Sequence, residues 1–308
     1  MDQPPHPRRS DLRDEGPETA SPDRRMGRTP RAVARYVLDG TDEDLKRLLA
    51  ISDLTAQFAR IALHRVGVQE GWNAMECGCG PLGALPVLAE AVGSSGKVVG
   101  VDLNEGAVDR ARSIVEALGL DNVDVFVGDL HDTAPAELGA PFDLAYSRQF
   151  LLHQPDPIRT LARIAALLRP GGVLVAQEPF RNPGWRSQPD NRYVSAHWEV
   201  LYESIERAGT PHGAVGDLPR FARAAGLEVT AMSGFCVVVA PEMGLQIAAA
   251  NMAAVRDRAL ELGAASETQF DDITAGLTAA LSKKDAYQWI AAPLVFDLAL
   301  RKPASTAP

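Results

Sequence analysis

Asn73-Ala74-Met75-Glu76-Cys77 runs into the turn Gly78-Cys79-Gly80-Pro81-Leu82-Gly83, and about twenty residues later Val98-Val99-Gly100-Val101 ends on Asp102. Short apolar, partly β-branched runs read as buried parallel strands, and glycines between a strand and an apolar helix let the backbone approach whatever it faces. Few folds accommodate that order. The pattern predicts strands at 73–77, 97–101, 123–127, 144–147 and 172–177, with helices at 82–92, 105–118 and 157–168 between them. Such alternation builds a parallel sheet with right-handed crossovers.

After residue 177 the rhythm breaks. Residues 180–212 carry Trp185, Tyr193, His197, Trp198 and Tyr202 and read as an insertion with one helix. A helix at 218–225, a bent strand at 227–239, one long helical segment at 241–282 and a last strand at 291–300 follow. Ahead of the sheet, Thr41 and Asp44 suggest a helix start, with apolar stripes through Leu49 and again from Leu54 to Val66. The expected organisation is a disordered tail over 1–27, a helical lid over 28–70 and one α/β domain over 71–308. That domain would hold a Rossmann-like, seven-stranded, mostly parallel sheet with helices on both faces. Insertions at about 180–212 and 241–283 would complete a helical cap.

A chain of 308 residues, 46% hydrophobic, has enough apolar content for a sizeable core. Its formal charge of −9, with no long Lys/Arg run, argues against a nucleic-acid partner, because phosphate backbones require dense positive charge. Residues 1–26 lack an apolar run, so they suit neither a secretory signal nor a membrane span, and the default location is the cytoplasm. Three cysteines, Cys77, Cys79 and Cys236, make no disulfide framework. The one-residue gap of Cys77-x-Cys79 is tighter than usual zinc pairs, so no metal is expected.

Taken alone, Gly78-x-Gly80-x-x-Gly83 with Asp102 downstream is the fingerprint of a dinucleotide site. Three further features change that reading: Glu76 before the first glycine, Gly128-Asp129-Leu130 after the third strand, and Leu168-Arg169-Pro170-Gly171-Gly172 before the fifth. In this order and spacing the set resembles the class I S-adenosylmethionine-dependent methyltransferases, especially bacterial small-molecule enzymes, over about residues 34–235. The resemblance implies S-adenosylmethionine as cofactor and S-adenosylhomocysteine as product.

It also implies roles. Gly78 and Gly80 let the backbone approach the cofactor, Glu76 suits the ammonium of its amino-acid end, and Asp102 with Leu103 meets the ribose. Asp129 and Leu130 would bind adenine; Ser147 and Arg148 would lie near the methionine part. Tyr36 would fold over the cofactor. Leu82 departs from the family, which usually has glycine there. The absence of an Asn/Asp-Pro-Pro-Tyr/Phe run after strand four further weakens a nucleic-acid role.

Methyl transfer from a sulfonium requires alignment, a dry site and, for some acceptors, proton removal. His153 and His197 are the candidate bases, and Tyr193 could orient an acceptor. Phe150, Trp185 and Trp198 suggest a pocket for a flat or apolar small molecule, aromatic or indole-like, in natural-product biosynthesis. Two other readings stay open: a non-catalytic protein that binds S-adenosylmethionine, and an NAD-dependent oxidoreductase, for which no Tyr-x-x-x-Lys pair is present. Helical lids of this kind often exchange between subunits, which leaves a homodimer open.

Overall fold

The computed structural model describes residues 42–304; Tyr36 and the expected tail at 1–27 lie outside them. The elements run α1 (Asp42–Val66), β1 (Asn73–Cys77), α2 (Leu85–Val92), β2 (Lys97–Asp102), α3 (Glu105–Ala117), β3 (Val123–Val127), α4 (Pro135–Leu138), β4 (Phe142–Arg148) and α5 (Pro157–Leu167). There follow β5 (Leu168–Pro179), β6 (Arg186–Gln188), α6 (Arg192–Arg207), α7 (Ala214–Ala224), β7 (Glu228–Val239), α8 (Pro241–Glu261), α9 (Glu267–Leu281) and β8 (Trp289–Arg301). The sheet order is β3-β2-β1-β4-β5-β8-β6, with β7 on the other edge of β8. β1 to β5 are mutually parallel, and β8 runs antiparallel to β5, β6 and β7.

The sheet therefore has eight strands where seven were expected. The extra one, β6, exists because β8 extends past its last partner on β5, Pro179↔Val295, and offers Trp289–Ala291 to the insertion. One core lies under α1, α2 and α3, with Leu63, Leu85, Leu88, Val108 and Tyr146 buried together. The other joins α5 and α7 to the cap helices α6, α8 and α9. Burial of such side chains contributes roughly 1.5–3 kcal/mol each.

Local chemistry fixes the helix starts. Asn104 accepts the Ala107 N–H ahead of α3, Asp156 the Arg159 N–H ahead of α5, and Ser266 with Gln269 forms a reciprocal capping box on α9. The expected single segment at 241–282 is two helices, broken where Gly263 takes φ 67. Conversely, the two stripes before residue 67 form one helix, α1. Ser52 and Thr55, within it, are buried partners of Arg148. Among the described residues no helix is long and apolar enough to cross a membrane, and no group of His, Cys, Asp or Glu is arranged to hold a metal ion.

Candidate functional site

The carboxyl ends of β1, β2, β3 and β4 bring the glycine loop and three acidic positions together. Glu76 is 1% exposed, and both of its oxygens accept the Ala84 N–H, at 2.8 and 2.9 Å. This pulls residues 81–84 into a turn, so α2 starts at Leu85 rather than at Leu82, whose carbonyl accepts the Leu85 N–H. Gly83 sits at φ 55, and a Cβ there would lie 2.4 Å from Glu76 Oε1 and 2.7 Å from the Cys79 carbonyl. Gly83→Ala is therefore expected to lower stability by about 2 kcal/mol or more, through backbone strain and the clash with a buried carboxylate. A denaturant titration checks this; a midpoint equal to wild type would contradict the geometry.

Asp102 is held at the end of β2 from two sides. Its Oδ2 accepts the Gly80 N–H and its Oδ1 the Asn104 N–H, each at 2.8 Å. Burial raises its pKa, and these amides oppose the shift. The Gly128 N–H donates to the Asp102 carbonyl (2.9 Å), which sets the turn after β3 beside it. There Asp129 Oδ1 accepts the His131 N–H (2.8 Å), while Leu130 is buried and Leu103 is 50% exposed. Gly80 faces open space: nothing lies within 4 Å of where its Cβ would be.

These residues suit a nucleoside with a cationic tail better than a pyrophosphate. A dinucleotide's phosphates need the free N–H groups at the helix start. Here the Ala84 N–H at that start is taken by the protein's own Glu76. Asp102 donates nothing and holds one N–H per oxygen, so it keeps acceptor capacity for ribose hydroxyls. Ser147 Oγ is fully buried, with no hydrogen-bond partner among the described residues, at the end of β4 beside Cys77.

Comparison with known proteins agrees. A family profile described as "Methyltransferase domain" matches residues 69–209. The chain is 38% identical over 152 residues to protein-L-isoaspartate O-methyltransferase 2 of Archaeoglobus fulgidus, covering 47% of this chain and 68% of that protein. The chain belongs to the class I S-adenosylmethionine-dependent methyltransferases. Nocamycin O-methyltransferase of Saccharothrix syringae is 34% identical over 145 residues, covering 46% of this chain and 51% of that protein. The chain spans about half the length of most curated relatives it matches. A Haemonchus contortus phosphoethanolamine N-methyltransferase, crystallised with S-adenosylhomocysteine, shares the fold at TM-score 0.53 and 18% identity, covering 89% of this chain and 61% of that one.

Within the methyltransferase fold, α1 is tied across the strand ends. Arg148 donates to Thr55 Oγ1 (2.6 Å) and Ser52 Oγ (3.2 Å). Tyr146 donates to Gln177 Oε1 (2.6 Å), and Gln177 Nε2 donates to the Phe58 carbonyl (3.3 Å). Further along, Arg65 pairs with Asp297 at 2.6 Å. Phe150 packs its ring directly on Gly78, where a Cβ would lie 2.4 Å from Cδ2.

The other expected site residues are divided between places. His153 sits in the 3-10 turn Leu151–His153 after β4; burial, and then the nearby Arg47 charge, push its pKa down to about 3. His197 is fully buried on α6, its Nε2 3.4 Å from Asn251 Nδ2, and burial pushes it down to about 4. Both are neutral imidazoles near pH 7. Trp185, His197, Trp198 and Tyr202 meet edge to face, ring to ring, inside the cap. Trp198 Nε1 donates to the Phe180 and Arg181 carbonyls, and the Tyr202 hydroxyl to that of Pro179, so these rings also anchor the chain leaving β5. Tyr193 lies on the seam of α6 and α9, packed on Gly276, with its hydroxyl 3.3 Å from Asp272 Oδ1.

Sequence reasoning did not single out Ser52, Thr55, Gln177, Glu178 or Asn251. For Gln177 and Glu178 a signal existed: two polar residues end an otherwise apolar strand run at the edge where the site lies. Cys77 and Cys79 are buried, and burial drives both thiols well above their ordinary range, which makes them poor nucleophiles.

Proposed function

We propose that this protein transfers the methyl group of S-adenosylmethionine to an O, N or C atom of a small organic acceptor. An aromatic or indole-like metabolite of natural-product biosynthesis is the reading preferred here. The observation that carries it is the pairing of a helix start closed by Glu76 with an Asp102 carboxylate beside the open space over Gly80. The likeness to nocamycin O-methyltransferase supports a natural-product acceptor, and the charge of −9 disfavours a nucleic acid.

When bound, the sulfonium supplies an already activated methyl group, so the protein's tasks are alignment and exclusion of water. Asp102 and Asp129 accept hydrogen bonds from the nucleoside. The glycine loop and Phe150 shape the end nearest Gly78, and α1, fastened through Arg148 and Gln177, covers the strand ends. His153 is neutral near pH 7, and with its pKa lowered to about 3 it is a weak base, which favours acceptors that need no proton removed. Isothermal titration with S-adenosylhomocysteine tests the reading: binding in the micromolar range is expected, with none of NADH. Absence of heat at high micromolar ligand would overturn it.

A further inference from the structure

Glu178 stands near the carboxyl end of β5, wholly buried. Its Oε1 accepts the backbone N–H groups of Phe150 (3.1 Å) and Leu151 (2.9 Å), and its Oε2 accepts that of Leu152 (3.3 Å). These are the otherwise unpaired donors at the start of the 3-10 turn, where a negative charge is favoured. On the preceding side, Gln149 adopts φ 52, and its N–H is held by the Gln177 carbonyl at 3.0 Å. A non-glycine residue stays in that region only when its surroundings over-determine it. β5 therefore grips the chain through two consecutive residues, Gln177 and Glu178. Phe150 is the residue caught between the grips, and its ring is the one seated on Gly78.

We propose that Glu178 is a positioning residue for the cofactor site: by holding the three amides it fixes the turn that seats Phe150 on the glycine loop. This rests on the methyl-transfer reading for its consequence, but the linkage itself is independent of any ligand. Glutamate suits the task because one carboxylate has acceptor sites enough for three amides. Glutamine offers one oxygen and turns an NH2 group toward donors. A carboxylate shared among amides also needs no cation beside it, which a buried ion pair would require.

The test has two readouts. First, hydrogen exchange is followed at residues 150–152 and at the 77–80 loop without ligand. Glu178→Gln is expected to raise exchange at both segments by about tenfold or more, since protection reports local opening. Second, S-adenosylhomocysteine affinity is measured for Glu178→Gln, Phe150→Ala and the double variant. Each single change is expected to weaken binding about tenfold, and the double variant no more than either, because both act through the same ring. Merely structural damage would instead give additive losses, near a hundredfold.

Unchanged exchange at 150–152, or additive losses in affinity, would overturn the proposal. If the wild-type protein binds no S-adenosylhomocysteine, the functional reading falls, while exchange still decides the linkage from Glu178 to the loop. Should circular dichroism show Glu178→Gln unfolded, Glu178→Asp, which keeps the carboxyl group but withdraws it by one methylene, takes its place in both measurements.

Discussion

Replacing Asp102 by alanine is expected to reduce S-adenosylhomocysteine affinity by at least about a hundredfold. The carboxylate has two tasks on one pair of oxygens. It holds the Gly80 N–H at 2.8 Å, which keeps the second glycine of the loop in place, and it presents its remaining lone pairs to ribose hydroxyls. A hydrogen bond to a charged group contributes roughly 1.5–3 kcal/mol, so losing two amounts to about two decades in affinity or more. Asp102→Asn separates the tasks: one oxygen still accepts from Gly80, but the amide replaces an acceptor facing the ribose. An intermediate loss, about tenfold, is expected for it. Titration calorimetry reads all three proteins, and affinity within threefold of wild type for Asp102→Ala would remove Asp102 from the site.

The second large effect concerns stability and pH. Burial pushes Glu76 up to about 8, with the Arg148 charge and the Ala84 N–H opposing it, and pushes Glu178 up to about 7 against its three amides. For an acid whose folded pKa exceeds its unfolded value of 4.5, the folded state binds more protons in between. Its contribution is complete below 4.5 and is lost as pH rises through 7 and 8. His153 and His197 act in the opposite sense. Lowered from 6.5 to about 3 and 4, they contribute fully above 6.5 and lose that contribution as pH falls. The two effects oppose each other between 4.5 and 6.5, and only the carboxylates act from 6.5 to 8.

The melting temperature is thus expected to fall as pH rises from 6.5 to 8.5, each carboxylate contributing a slope of up to about 1.4 kcal/mol per pH unit. Glu76→Gln should flatten part of that decline. Glu76→Ala should instead cost about 3 kcal/mol or more at any pH, because it leaves the Ala84 N–H buried without an acceptor and empties the space beside Gly83. Scanning calorimetry across pH on the three proteins checks this. A wild-type melting temperature that rises from pH 6.5 to 8.5 would contradict it.

The parallel core of the fold was legible because its strands announce themselves locally as β-branched or apolar runs, most of them followed by glycine or an acid. The cofactor loop was legible for the same reason, since Gly78, Gly80 and Asp102 belong to one contiguous strand–turn–helix–strand passage. What was not legible depends on partners far away in sequence. Ser52 and Thr55 carry no signal of their own; only Arg148, about ninety residues on, turns them inward. Glu76 read as the partner of a cation. The structure turns both its oxygens to Ala84, a bond that requires the left-handed turn at Gly83. The extra strand β6 has no signature of its own, being three residues that pair because β8 is there.

β8 also bears on the order in which the molecule can be assembled. It is the sole described sheet partner of both β6 and β7, and it lies at positions 289–301, after every other element. As a chain leaves the ribosome, β1 to β5 can pair with one another as they appear. The insertion's strand β6, about a hundred residues earlier, and β7 must wait for that last strand before they join the sheet. Such long-range closure is slow, and until it happens the edge of β5 lacks its cover. The half that carries the glycine loop can therefore be organised first, while β6 and β7 join the sheet only when the final strand is inserted.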